Sequence, residues 1–135
     1  MTEYGISITL PTAFTEAVES TRAALAEQGF GILTEIDVAA TLKAKLDEDM
    51  APYLILGACN PPLAHQALGV DPSIGLLLPC NVVVRTVDEH HTMVEAMDPN
   101  VMVTATGNQG LSQVAEQART RLVAALETLT KQHSS

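Results

Sequence analysis

Cys59 and Cys80 are the two cysteines of the chain, and each stands at one end of an apolar run: Cys59 closes YLILGAC, and Cys80 follows LLLP and opens NVVV. A pair of thiols can bind a soft metal such as Cu(I), can bind Zn(II) with extra ligands, or can cycle between dithiol and disulfide. The competing reading is core packing, since free cysteine is among the most buried residue types. The spacing of the two matches no zinc signature, so position has to decide. Cys59 directly precedes Asn60 and Pro61, a pair that suits the N-cap and first residue of a helix. Unpaired backbone donors and the helix dipole at such a terminus favour a thiolate. Asn60 and Asn81, the neighbours of the two cysteines, are the polar groups expected beside them. His65, one turn into the helix after CNPP, is placed to reach back toward Cys59 as ligand or base, with a surface histidine as the alternative.

Other chemistry-bearing residues are more scattered. Glu95 and Asp98 are carboxylates that could act as acid or base beside a pocket, but one strand glutamate and one turn aspartate do not make a catalytic pair. Met93 and Met97 are expected on one strand face with Glu95, and Met102 follows soon after. Thioethers bind Cu(I), yet filling gaps in a core is their usual use. His90 and His91 fall in a predicted turn and are expected to be solvated. GxGxxG, GxxxxGK followed by Ser or Thr, HExxH and GxSxG are all missing. Dinucleotide, nucleoside triphosphate, zincin and hydrolase-elbow readings therefore lack motif support.

The elements that must position these residues can be read from periodicity. ISITL alternates apolar and polar and predicts a strand, which Pro11 and Thr12 stop. Phe14, Val18, Thr21 and Leu25 then recur at helical steps, with Gly29 as the terminator in a left-handed conformation. FGILTEI reads as a second strand, and Asp37 caps a short helix with Val38, Leu42 and Leu46 on its apolar side. YLILGAC is a buried strand, and Asn60 opens a helix reaching about Leu68 that Gly69 closes. Leu76 to Val87 predicts a fourth strand with Pro79 near its start. Asp88, Glu89 and His90 form a hairpin turn, and HTMVEAM returns antiparallel until Asp98 and Pro99. After Gly107 and Gly110, the residues Leu111, Val114, Ala118, Leu122, Ala125, Leu126 and Leu129 mark one face of a long helix. Hairpin-linked strands with helices outside them predict an α+β domain, its sheet covered on one face by the first and last helices.

Size and charge limit the partners. The 135 residues suit one domain, 1–135, with enough chain for a core that needs no disulfide or metal. Seven Lys and Arg face 16 Asp and Glu, for a net charge of -9 and no basic cluster. Such a surface repels nucleic acid and anionic membranes. The start, MTEYGISITLPTAF, lacks the pattern of a secretory signal, and no apolar stretch is long enough to span a bilayer. A cytoplasmic location is expected, with both cysteines as free thiols.

The assembly LGACNPPLAHQAL, LLLPCNVVVRTVD and VEAMDP resembles the domain of unknown function 302 family, a likeness that extends from the YGISITL strand through MDPNVM. The resemblance implies a compact α+β fold with a TATA-binding-protein-like topology: a curved antiparallel sheet with helices packed on one face. It also implies a homodimer, and it implies no activity. The likeness to a DNA binder is topological only, because this acidic chain lacks a basic concave face.

Three functions remain open on these residues. The first is a homodimeric binding module with a pocket around Cys59, Asn60, Cys80 and Asn81 that takes a metal ion or small ligand. The second is a thiol-dependent redox protein or enzyme with Cys59 as nucleophile and Cys80 as resolving partner. The third is a structural or interaction domain with inert thiols. An antiparallel sheet with helices on one face leaves its other face to be covered, and a second copy is the simplest cover.

Overall fold

A computed structural model describes residues 3–133. Five strands, β1 (Gly5–Leu10), β2 (Gly31–Asp37), β3 (Tyr53–Cys59), β4 (Cys80–Asp88) and β5 (His91–Met97), form one open sheet in the order β1-β5-β4-β3-β2. Every neighbouring pair is antiparallel. The helices are α1 (Phe14–Glu27), α2 (Val38–Leu46), α3 (Pro61–Val70), α4 (Val101–Thr106) and α5 (Ser112–Gln132). The α+β architecture expected from the sequence is the one observed. Among the described residues, no helix is long and apolar enough to cross a membrane.

The pleat of the central strands sorts their side chains. Leu54 pairs with Val84, Leu56 with Val82, Val82 with Ala96 and Val84 with Val94, and all of these are buried. They form one apolar cluster with Leu25 and Ala17 of α1 and with Leu122, Ala125, Leu126 and Leu129 of α5. The first and last helices thus cover one face, as predicted. A second cluster joins Leu63 and Ala67 of α3, Ile74, Met102 of α4, Leu111, and Val114, Ala115 and Ala118 of α5. The long helix α5 contributes to both clusters, so its apolar stripe ties the α3 and α4 region to the sheet.

The local signals mostly act where the sequence places them. Asp37 Oδ1 accepts from Ala40 N at 2.9 Å and starts α2. Gly29, at φ +85°, ends α1 in a conformation that costs a residue with a Cβ about 1 to 2 kcal/mol. Asp88 holds the β4–β5 turn by accepting from His90 N at 2.8 Å.

Four elements differ from expectation. The fourth strand begins at Cys80 rather than Leu76, because Pro72–Leu77 wind into a 3₁₀ turn. Pro72 suits that turn's first position, and Asp71 Oδ1 accepts from Ser73 N at 3.0 Å. The third helix runs through Gly69 to Val70, and an extended Asp71 ends it. Helix α4 was not foreseen: Asn100 N donates to Asp98 Oδ1 at 2.9 Å, and a helix of 6 residues follows. The apolar side expected for α2 is also only partly covered, with Val38 and Leu42 half-buried. None of its residues is buried, and Leu46 is 65% exposed.

Thr21 is the polar member of the α1 stripe. It is 1% exposed, and among the described residues its hydroxyl has no hydrogen-bond partner. A buried hydroxyl without a partner costs about 1 to 3 kcal/mol, and valine has nearly the same shape and helix propensity. Thr21→Val should therefore raise the free energy of unfolding by about 1 kcal/mol. Urea denaturation measures this, and a lower midpoint in the variant would show that the hydroxyl is satisfied in solution.

Candidate functional site

Strands β3 and β4, as antiparallel neighbours, bring the two cysteines to the same end of the sheet, with Ala58 directly opposite Cys80. Adjacent residues of a strand point to opposite faces, so Cys59 has the parity opposite to Ala58 and Cys80. Cys80 is on the helix-covered side and only 7% exposed, whereas Cys59 is half-buried. Both are free thiols. They border a small cavity, about 30 Å³, whose walls include Phe30, Leu63, Met102 and Val114. That is roughly the share of one water molecule, too little for an organic ligand.

The helix terminus beside Cys59 offers few donors. Pro61 and Pro62 have no N–H. Leu63 N donates to Asn60 Oδ1 at 3.4 Å and Ala64 N to Asn60 O at 2.9 Å. The backbone groups expected to steady a thiolate are therefore missing or taken. Asn60 is itself 8% exposed, and its Nδ2 donates to Gln28 O at 3.4 Å. Arg121 Nη1 reaches the same carbonyl at 3.2 Å. One amide thus caps α3 and ties it to the end of α1. Burial, with a smaller contribution from the charge of Cys59, pushes the Cys80 thiol up to about 11. At neutral pH Cys80 is protonated.

The remaining candidates lie elsewhere. His65 is on the exposed side of α3 and does not line the cavity. Met102 lines it, buried in the second cluster. Asp98 Oδ2 accepts from Arg119 Nε at 3.4 Å and so anchors α5, and His91 Nδ1 is 2.8 Å from Asp88 Oδ1. Among the described residues no group of three or more His, Cys, Asp and Glu could hold a metal ion.

Asn81 and Glu95 belong to the other face of the sheet, which no helix covers among the described residues. Glu95 is opposite Ser7 on one side and Val83 on the other. Asn81 is opposite Gly57, whose missing Cβ leaves room for the Thr34 side chain and the Pro79 ring. Met93 and Met97 share the face with Glu95, as expected. Asn81, Glu95, Tyr53, Val83 and Met97 line a shallow depression of about 320 Å³. The structure therefore divides the six candidate residues into three settings: Cys59, Asn60 and Cys80 at the small cavity, Asn81 and Glu95 on the open face, and His65 in solvent. Arg85 and Tyr53, cross-strand partners on the open face, were missed by the sequence reading. YLIL and VVVRTV do not alternate in polarity, so the only signal for them was the strand pleat, which turns every second residue away from the core.

An open antiparallel sheet, with helices on one face and a polar patch on the other, defines the class of protein. The chain belongs to the family described as Domain of unknown function DUF302, whose model matches residues 6–129. Among solved structures, it is similar to the crystal structure of an uncharacterized conserved protein DUF302 from Bacillus stearothermophilus. The TM-score is 0.85 at 27% sequence identity, over 93% of this chain and 98% of that one. No curated protein matches the chain.

The state of Cys80 has a consequence for stability. Its proton is held more tightly in the folded than in the unfolded chain, with an ordinary value of 9.0 against about 11. Between these values the unfolded state binds fewer protons, so stability is complete below pH 9 and falls as pH rises toward 11. The loss is on the order of 2 to 3 kcal/mol. Denaturation at graded alkaline pH should show this slope in the wild type and a shallower one in Cys80→Ala. Equal slopes would show that Cys80 does not titrate with unfolding.

Proposed function

We propose that the chain is a small binding module that works as a homodimer, with the uncovered face of the sheet as its recognition surface. The observation that carries the reading is the makeup of that face. Ile55, Val83 and Met97 stand among Asn81, Arg85 and Glu95 on the three central strands, with no layer above them among the described residues. An exposed apolar patch rimmed by polar residues marks an interaction site, and a mixed apolar and polar patch is what a partner surface presents. The thiols fit this reading as packing groups in a reducing, cytoplasmic setting. Sedimentation velocity at micromolar concentration should give a species of twice 14.3 kDa. A monomer alone would overturn the homodimer.

A second reading keeps a soft metal, Cu(I) or Zn(II), between Cys59 and Cys80. It is supported by the place of both residues in the wall of a cavity that would hold a single atom-sized guest. A dithiolate loses its chelate when either sulfur is removed. On this reading, the reduced protein competes with a Cu(I) chelator, and both Cys59→Ser and Cys80→Ser abolish the competition with little change in melting temperature. On the packing reading, the wild type does not compete, and Cys80→Ser lowers stability by about 1 to 3 kcal/mol.

A further inference from the structure

Three strands, β3, β4 and β5, form the middle of the open face, and they place two side chains of opposite charge there. Arg85 is opposite Met93 and Glu95 is opposite Val83, so the two are diagonal neighbours across the β4–β5 pair. Diagonal neighbours are about 7 to 8 Å apart, within reach of long side chains. They do not pair with one another among the described residues. Arg85 Nη2 donates instead to Met93 Sδ at 3.0 Å, a weak acceptor for a guanidinium. Among the described residues, Glu95 has no partner in hydrogen bond or ion pair. Both are half-buried, with Tyr53, Ile55, Val83 and Met97 around them.

The charge of the rest of the chain makes this pair informative. Of the 16 acidic residues, the strands hold Glu35, Asp37, Asp88 and Glu95. Glu35 pairs with Arg22 of α1, Asp37 caps α2, and Asp88 is at the hairpin turn. The centre of the open face therefore carries one cation and one anion, on a chain whose net charge is -9. Two copies repel through most of their surfaces, and least through this one.

Resting on the homodimer reading above, we infer that two copies meet face to face about a two-fold axis between Arg85 and Glu95, each Arg85 pairing with Glu95 of the other copy. A two-fold interface is self-complementary, so a single patch holding one charge of each sign makes two ion pairs when doubled. The surrounding apolar side chains shield those pairs from water, which strengthens them.

Charge reversal tests this, with sedimentation as the readout and circular dichroism as the check on folding. Arg85→Glu gives a protomer with two carboxylates on the face, and Glu95→Arg one with two guanidinium groups. Each alone should weaken self-association by about a hundredfold or more. Mixed in equal amounts, the two should associate one to one, more tightly at low salt. A wild-type dimer that survives both reversals, or a mixture that stays monomeric, would overturn the Arg85–Glu95 pairing and leave the homodimer standing. A monomeric wild type would overturn the homodimer itself. Should a reversal unfold the chain, Arg85→Gln and Glu95→Gln take its place. Loss of salt dependence in either supports the pairing, and unchanged salt dependence counts against it.

Discussion

The antiparallel register of β3, β4 and β5 is the constraint on which the other features rest. With Leu56 opposite Val82 and Val82 opposite Ala96, one residue in two along each strand is committed to the helices. A slip of one residue would send that whole set to the other side. It would put Arg85 and Glu95 against α1 and α5, where two unpaired charges would cost several kcal/mol each. The hairpin held by Asp88 and the bond from the Thr92 hydroxyl to Thr12 O, 2.8 Å long and buried, fix this register at its closed end. The same register then brings Ala58 to Cys80 and fixes the geometry of the cysteines.

The cysteine end of the sheet is also where the two apolar clusters meet. Phe30 and Ala58 belong to the sheet cluster, Leu63, Met102 and Val114 to the one beneath α3 and α4, and all five line the small cavity. Close packing falls short where two independently organised layers join, and a void the size of a water is the result. Asn60 spans this junction, capping one helix while holding the last carbonyl region of another. A buried amide with both ends satisfied fixes the angle between the layers in a way that apolar contact alone does not.

Much of the fold was legible because its signals are local. The alternation in ISITL, the cap at Asp37, the glycine at 29, the Asn60-Pro61 start and the stripe of α5 each depend on residues near in sequence. The departures have physical causes of the same kind. The 3₁₀ turn over Pro72–Leu77 hides in an apolar run that reads equally well as strand, and α4 is too short to show a period. The site was less legible. Cys59 and Cys80 were placed at the right end of the right strands, but strand parity separates their faces, and the second proline of CNPP removes a donor that the N-cap argument had counted on. Asn81 was grouped with Cys80 because it is adjacent in sequence, whereas in a strand adjacency means opposite faces.

Parity also explains why one short segment serves two purposes. In CNVVVRTVD the residues Cys80, Val82 and Val84 are buried, while Asn81, Val83 and Arg85 face the uncovered side. The inner set is uniformly apolar and specifies packing, and the outer set mixes an amide, an aliphatic group and a guanidinium. An outer face meant only for water would need no Val83, Ile55 or Met97, and one meant for permanent burial in its own chain would not carry Arg85 and Glu95 unpaired. The combination suits a surface that is solvated in the free protomer and desolvated on contact. Because the acidic residues other than Glu95 are kept to the helices, the loops, the edge strand β2 and the end of β4, contact there would gather no more than one carboxylate per copy at its centre.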